Sequence, residues 1–150
     1  MDTLTEGRWT ELADEICSAL SRLRPGRFLI VQYDAEGKWD PRPYAQCAPE
    51  VDSWYCEVVS QNYLGAERWP IDELALRRMG WLLPDLETAN WWRDADSAEA
   101  SGRLLVEGLR QGRLCTDPEL FSWSVGSFPS GPDGGEPLHV PIEGLVLQAA

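Results

Sequence analysis

Residues 54–92 decide the fold of this chain, and they read WYCEVVSQNYL at 54–64, GWLLP at 80–84 and NWW at 90–92. Five of the eight tryptophans lie within this stretch. It combines strand, turn, helix and strand signals with large aromatic side chains, and it contains almost no group suited to acid–base or nucleophilic chemistry. The stretch therefore predicts a small binding or assembly domain rather than a catalyst.

The residues before this stretch predict a helix followed by a sheet. Apolar residues at spacings of three and four predict a first helix from about Thr5 to Leu23. The apolar run 27–33 predicts a first strand, and 42–48 a second strand, which its neighbouring prolines place at a sheet edge. Residues 53–60 predict a third strand, and the short connections favour an antiparallel meander.

The second half predicts two helices and one further strand. A second helix is expected from Pro70, with Gly80 at its end. A strand is expected over 88–93, with Trp91 and Trp92 on opposite faces of the sheet. A third helix follows, capped by Asp96 and closed by Gly112. The predicted fold is α+β, with helices packed on a curved antiparallel sheet in the order α-β-β-β-α-β-α.

The C-terminal region has a different composition. Residues 117–123 predict a short helical turn, because Pro118 and Glu119 suit a helix start. From Gly126 the chain becomes rich in glycine, proline and serine, which is typical of a loop or linker. Residues 138–147 are apolar enough to dock as a strand, or they remain mobile. We therefore expect one domain over 1–125 and a linker with an apolar tail over 126–150.

The charge restricts the class of partner. With 25 acidic and 13 basic residues the 150-residue chain has a net charge of −12, which disfavours binding to nucleic acid and to anionic membranes. Arg22, Arg24 and Arg27 surround one turn but form no extended basic patch. The N-terminal residues lack the apolar core of a secretory signal, and no stretch is long enough to span a bilayer, so we expect a cytoplasmic protein.

Few residues offer chemistry. The single histidine, His139, lies in the apolar tail, and no catalytic, phosphate-binding or metal-binding motif occurs. The four cysteines have no zinc-like spacing. Cys47 and Cys56 fall on neighbouring predicted strands and are expected to be small buried residues. Pairs of carboxylates are expected by chance among 25 acids, so we predict no catalytic residue, no metal and no cofactor.

The tryptophans carry the strongest binding signal, because an indole buries a large area at cores and interfaces alike. Trp9, Trp54 and Trp81 fit core positions. The remaining five cannot all be buried easily in a domain of this size. From these we predict partner-binding residues, namely Trp69, Trp91, Trp92 and Trp39, and leave Trp123 as a further candidate.

The element order, SQNYL at 60–64, GWLLP at 80–84, Asn90-Trp91 and the Ala/Leu-rich third helix together resemble the TY-Chap domains of actinobacteria. These domains are similar to type III secretion chaperones and to YbjN-like proteins, and the likeness covers about Trp9 to Leu120. The resemblance implies an α+β fold, no enzymatic activity, binding of a segment of another protein, and a homodimer.

The first hypothesis is therefore a non-catalytic domain that holds a partner polypeptide on an aromatic surface or a sheet edge. One alternative is a regulatory domain that senses a small molecule in an aromatic pocket. A second alternative is a small enzyme that uses carboxylates or a cysteine.

Overall fold

The computed structural model describes residues 3–35 and 42–128, in which helices pack against one antiparallel sheet. The elements are α1 (Thr3–Ser21), β1 (Arg27–Tyr33), β2 (Tyr44–Pro49), β3 (Trp54–Val58), α2 (Glu73–Arg78), β4 (Trp91–Ala95), α3 (Ala98–Glu107) and β5 (Phe121–Ser127). A π-helical turn, Gly108–Gly112, continues α3, and a 3-10 turn, Pro118–Leu120, precedes β5. The strand order is β4-β3-β2-β1-β5. The predicted α+β class is confirmed.

One face of the sheet carries the main core, which α1, α2 and α3 cover. Alternate strand residues reach this face because side chains alternate along a strand. Helices α1 and α3 approach each other closely at Gly102, where an added Cβ would lie 3.0 Å from the Cα of Cys17. The largest buried members of this core are Trp9, Ile16, Leu20, Leu29, Leu76, Trp81, Trp91, Leu105 and Leu109.

The other face carries a second apolar cluster that the segment after β3 covers. Arg113 holds this segment in place, since its guanidinium donates hydrogen bonds to the carbonyl oxygens of Val59, Leu64 and Trp69. The Arg113 side chain is fully buried, and burial lowers its pKa to about 10. The arginine therefore satisfies backbone groups that a loop would otherwise bury without partners.

The prediction that the second strand lies at an edge is wrong. Strand β2 pairs with both β1 and β3 and lies in the middle of the sheet. Its described prolines lie at the two ends of the strand. Pro43 precedes β2 and its carbonyl oxygen accepts the N–H of Tyr33, and Pro49 is the last residue of β2 and lies opposite Trp54. A central strand tolerates these prolines because each missing N–H falls at an end of the strand rather than in its middle.

The last strand was missed. A helical turn was expected over 117–123, but only Pro118–Leu120 form a 3-10 turn, and Phe121–Ser127 form β5 beside β1. The strand extends beyond residue 125, and Phe128 packs its ring against Phe28 with centroids 4.9 Å apart. Ordered packing thus continues past the expected domain boundary. The predicted tail strand, residues 138–147, and His139 lie outside the described residues.

Helix starts differ from prediction by a few residues. Helix α2 begins at Glu73 rather than Pro70, with Asp72 accepting a hydrogen bond from the N–H of Ala75. Helix α3 is capped by Ser97 rather than Asp96, because the Ser97 hydroxyl accepts from the N–H of Ala100.

Candidate functional site

Three of the four tryptophans predicted to bind a partner lie among the described residues, and they occupy three separate places in the fold. Trp91 on β4 is 0% exposed and belongs to the helix-side core, so its ring offers no surface in this conformation. Trp92 is half-buried on the opposite face, where its ring stacks on Tyr55 with centroids 6.0 Å apart. The two neighbouring indoles face opposite sides of the sheet, as the strand pattern predicts.

Trp69 lies in a third place. Its indole N–H donates to the carbonyl oxygen of Arg113 at 2.6 Å, and its ring packs edge-on against Tyr33, 5.7 Å between centroids. Tyr33 belongs to β1, three strands away from β4. Trp39 lies outside the described residues. The described members of the predicted set therefore stabilise separate parts of the fold.

The β4 edge of the sheet is closed by the chain's own groups. Leu82 donates its N–H to the carbonyl oxygen of Trp92 at 2.8 Å and accepts the N–H of Trp92 at 3.2 Å. The carbonyl oxygen of Asp94 accepts a hydrogen bond from the Arg93 guanidinium at 3.2 Å. An added strand would have to displace these contacts.

The β5 edge presents backbone N–H and C=O groups that point away from the sheet. Asp34 donates to the carbonyl oxygen of Leu120, and Phe128 donates to that of Gly26, so the even-numbered residues of β5 bond β1. Because the bonded direction alternates along an antiparallel strand, residues 121, 123 and 125 direct their N–H and C=O groups outward. Within residues 3–35 and 42–128, no strand pairs with these groups.

A groove between α1 and β5 runs beside this open edge. The ring of Trp123 divides it, and the Trp123 indole N–H donates to a carboxylate oxygen of Glu15 on α1 at 2.7 Å. A cavity of about 360 Å³ lies on the Phe121 side of Trp123, and one of about 400 Å³ lies on the Val125 side. Leu12 of α1 lines the first cavity, and Ala19 of α1 and Leu23, just after that helix, line the second.

The two ends of the groove have opposite charge. Arg22, Arg24 and Arg27 line the cavity beside Val125. The cavity beside Phe121 is lined instead by Arg8 with Glu11, Glu15 and Glu119. The sequence signal for this site was the alternation of apolar and small residues in FSWSVGS at 121–127, which indicates a strand with one buried face.

A buried polar cluster lies on the other face of the sheet, around Glu57. Its carboxylate accepts hydrogen bonds from Gln46 at 2.7 Å and from Asn90 and Tyr55 at 3.2 Å each. Asn90 also donates to the hydroxyl of Tyr44 at 3.2 Å. Burial raises the pKa of Glu57 to about 7, against the lowering effect of these hydrogen bonds. The cluster has no exposed face for a substrate, since Glu57 is 0% exposed.

Burial opposes thiolate formation at Cys17, Cys47 and Cys115. Cys47 and Cys56 lie directly opposite each other on β2 and β3, both buried, with sulfur atoms 3.5 Å apart. Burial raises the pKa of Cys47, and it also raises the pKa values of Cys17 and Cys115. A raised thiol pKa removes the thiolate that a nucleophilic cysteine needs. Among the described residues, no three His, Cys, Asp or Glu side chains are grouped to hold a metal ion.

The fold and the groove define a small α+β domain whose β5 edge lies open beside an apolar groove within the described residues. The family described as "T3SS (YopN, CesT) and YbjN peptide-binding chaperone 3" (TY-Chap3) matches residues 2–123. The chain belongs to this family, which confirms the resemblance seen in the sequence. Neither the comparison with curated proteins nor that with solved structures finds a match. None of the helices in the described ranges has the length and hydropathy needed to cross a membrane.

Proposed function

We propose that this domain binds an extended segment of a partner polypeptide by adding it as a strand to the outer edge of β5. The observation that carries the proposal is the row of outward backbone groups at Phe121, Trp123 and Val125 beside an apolar groove. In strand addition the backbone hydrogen bonds supply affinity, and pockets for alternate side chains supply selectivity. The membership of a peptide-binding chaperone family supports the same class of partner.

The shape of the groove favours a polypeptide over a small molecule. The two cavities lie in line along β5, on either side of Trp123, and both are open to solvent. A small-molecule site usually encloses most of its ligand. Two open cavities beside a free strand edge suit two side chains of one extended chain, because alternate residues of a strand lie on the same face.

The test compares Val125→Pro with Val125→Ala. Proline removes the outward N–H of residue 125 and leaves the β1 ladder, which the even-numbered residues make, intact. Alanine keeps that N–H and removes most of the side chain. Peptides selected from a library of random linear sequences on the wild-type protein are titrated against each variant. Proline should weaken binding by more than about tenfold, and alanine should weaken it much less.

Thermal unfolding of both variants supplies the control, because the fold must survive for the comparison to count. A folded Val125→Pro protein that binds the selected peptides as tightly as wild type would contradict strand addition at β5.

Three further expectations belong to this proposal. The predicted partner-binding residues Trp69 and Trp92 have half-buried rings, and Trp92 lies at the opposite edge of the sheet, so their part in binding stays a prediction that alanine substitution tests. The homodimer that the resemblance implies stays a prediction, and sedimentation of the protein tests it directly. The exposed leucines Leu82, Leu83 and Leu86 beside β4 offer apolar surface for such a dimer.

The cytoplasmic location is a prediction that cell fractionation tests.

A further inference from the structure

We infer that the groove beside β5 selects a peptide by the order of its charges: an acidic residue at the N-terminal end, two apolar residues, and a basic residue at the C-terminal end. This inference rests on the proposed strand addition at β5, and it names the class of peptide and its direction. It depends on the separation of charge along the groove and on the direction of β5.

The basic end of the groove consists of three arginines that have no acidic partner among residues 3–35 and 42–128. Arg22, Arg24 and Arg27 are exposed, and none of them forms an ion pair with any part of the chain that the structure describes. They surround a cavity that Leu23 and Val125 also line. In a chain of net charge −12, three uncompensated arginines around one cavity make a local site for a carboxylate.

The acidic end lies at the start of β5. Glu11 and Glu15 are exposed on α1, and Glu119 precedes the strand. The one arginine that lines this cavity, Arg8, is already paired with Glu119 at 2.8 Å. A carboxylate oxygen of Glu15 also accepts the hydrogen bond of the Trp123 indole N–H. This end therefore attracts a basic side chain.

Because β5 runs in a known direction, its acidic and basic ends determine the order of charged residues along an added peptide. The strand runs from the acidic end, at Phe121, to the basic end, at Ser127, which pairs with Arg27. Antiparallel pairing is slightly more stable than parallel pairing, so a peptide added to this edge begins beside Ser127 and ends beside Phe121. Its first residue therefore meets the arginines, and its last meets the glutamates.

The register of the peptide on β5 follows from the alternation of side chains between the two faces of the sheet. Residues 121, 123, 125 and 127 have their side chains on the helix side of the sheet, and residues opposite them in the peptide share that side. The span from Ser127 to Phe121 is roughly 20 Å at about 3.4 Å per residue. The peptide therefore carries its acid, two apolar residues and base at alternate positions, and the two apolar side chains lie opposite Val125 and Trp123, which line the cavities.

A second copy of the chain is the competing occupant, because β5 itself has alternating apolar residues after Glu119. Pairing of two β5 edges would bring a second α1 to the same face beside the first. The cavities of about 360 and 400 Å³ have room for side chains rather than for a helix. The groove therefore fits a single extended peptide better.

The test uses two dye-labelled, end-capped peptides of equal composition, Glu-Thr-Val-Thr-Val-Thr-Arg and its charge-swapped form Arg-Thr-Val-Thr-Val-Thr-Glu. Anisotropy titration at low salt should show the acid-first peptide binding at least about tenfold more tightly. The double variant Arg24→Glu, Arg27→Glu should remove this preference. The matched double variant Arg77→Glu, Arg78→Glu, on the exposed face of α2, should keep it.

The outcomes separate the two levels of the proposal. Equal binding of both peptides, lost in Val125→Pro, would overturn the charge order and leave strand addition at β5 standing. A preference for the base-first peptide would overturn the antiparallel direction. No binding of either peptide, or a dimer in sedimentation that Val125→Pro dissociates, would overturn both the charge order and the peptide at β5.

Discussion

The two edge strands of the sheet, β4 and β5, both pair antiparallel with their inner neighbours. They differ in whether their outward backbone groups are already hydrogen-bonded. At β4 the outward groups of Trp92 are bonded to Leu82, and the Asp94 carbonyl is bonded to Arg93. At β5 the outward groups have no partner within the described part of the chain. The two edges therefore differ in whether their outward backbone groups are already bonded, while Trp91 and Trp92 on β4 pack within the fold. Among the described residues, the open backbone next to apolar cavities is the feature that supports the proposed peptide-binding edge.

The largest expected effect on stability comes from Glu57 of the buried polar cluster, which lies on β3 opposite Trp92 of β4. Its pKa is about 7 in the folded protein and near 4.5 when exposed. The folded state therefore holds a proton that the unfolded state releases, and stability falls as pH rises from about 4.5 to about 7. The loss is on the order of 3 kcal/mol. Denaturant unfolding at a series of pH values measures it.

The matched variants are Glu57→Gln and Glu87→Gln, the second at an exposed glutamate in the loop before β4. Glu57→Gln should flatten the stability profile between these pH values, and Glu87→Gln should leave it unchanged. A profile that keeps its slope in Glu57→Gln would mean that other groups titrate with folding.

A smaller loss of stability is expected from Gly126→Ala, which disturbs side-chain packing at β5 and not at β4. The added Cβ would overlap the ring of Phe28, a fully buried residue, so the ring or the strand must move. Such overpacking costs about 1–3 kcal/mol. The control is Gly7→Ala on α1, where a Cβ meets no atom within 4 Å and alanine favours the helix. Equal unfolding midpoints for the two variants would contradict the close packing at Gly126.

The smallest of the three effects is expected from Arg93→Ala, which removes the side chain that bonds the Asp94 and Met79 carbonyl oxygens. Loss of these charged hydrogen bonds should destabilise the protein by about 1–3 kcal/mol, at the low end because the site is partly exposed. Amide hydrogen exchange at Trp92 should become faster, while exchange at β5 stays the same. Unchanged exchange at Trp92 would show that Leu82 alone closes the β4 edge.

Much of the fold could be predicted because local signals agreed with tertiary packing. The bounds of β1 were predicted correctly, since an apolar branched run lies between Pro25-Gly26 and Asp34. The expectation for β5 failed because Pro118 and Glu119 suggested a helix, and the alternation in 121–127 was overlooked. The order of the strands could not be read from prolines, because their effect depends on which backbone groups a neighbour needs.

The candidate site was harder to predict from the sequence than the fold, because it depends on contacts between distant parts of the chain. Whether Trp91 is buried depends on its pairing with Val58 across β3 and β4, a register that no local pattern reports. The role of Arg113 depends on three carbonyl oxygens more than forty residues earlier in the chain. The charge separation along the groove depends on α1, β1 and β5 meeting in space. The apolar alternation of β5 and the three arginines around one turn were visible in the sequence, but their meeting in space was not.

Amide hydrogen exchange with and without bound peptide, resolved by residue, tests the central claim most directly. Addition of Glu-Thr-Val-Thr-Val-Thr-Arg should slow exchange at Phe121, Trp123 and Val125, whose N–H groups point outward. Exchange at Ser122 and Ser124, which already bond β1, should change little. Slowed exchange confined to the loop before β4, or no alternating change along β5, would contradict the assignment of β5 as the peptide-binding edge.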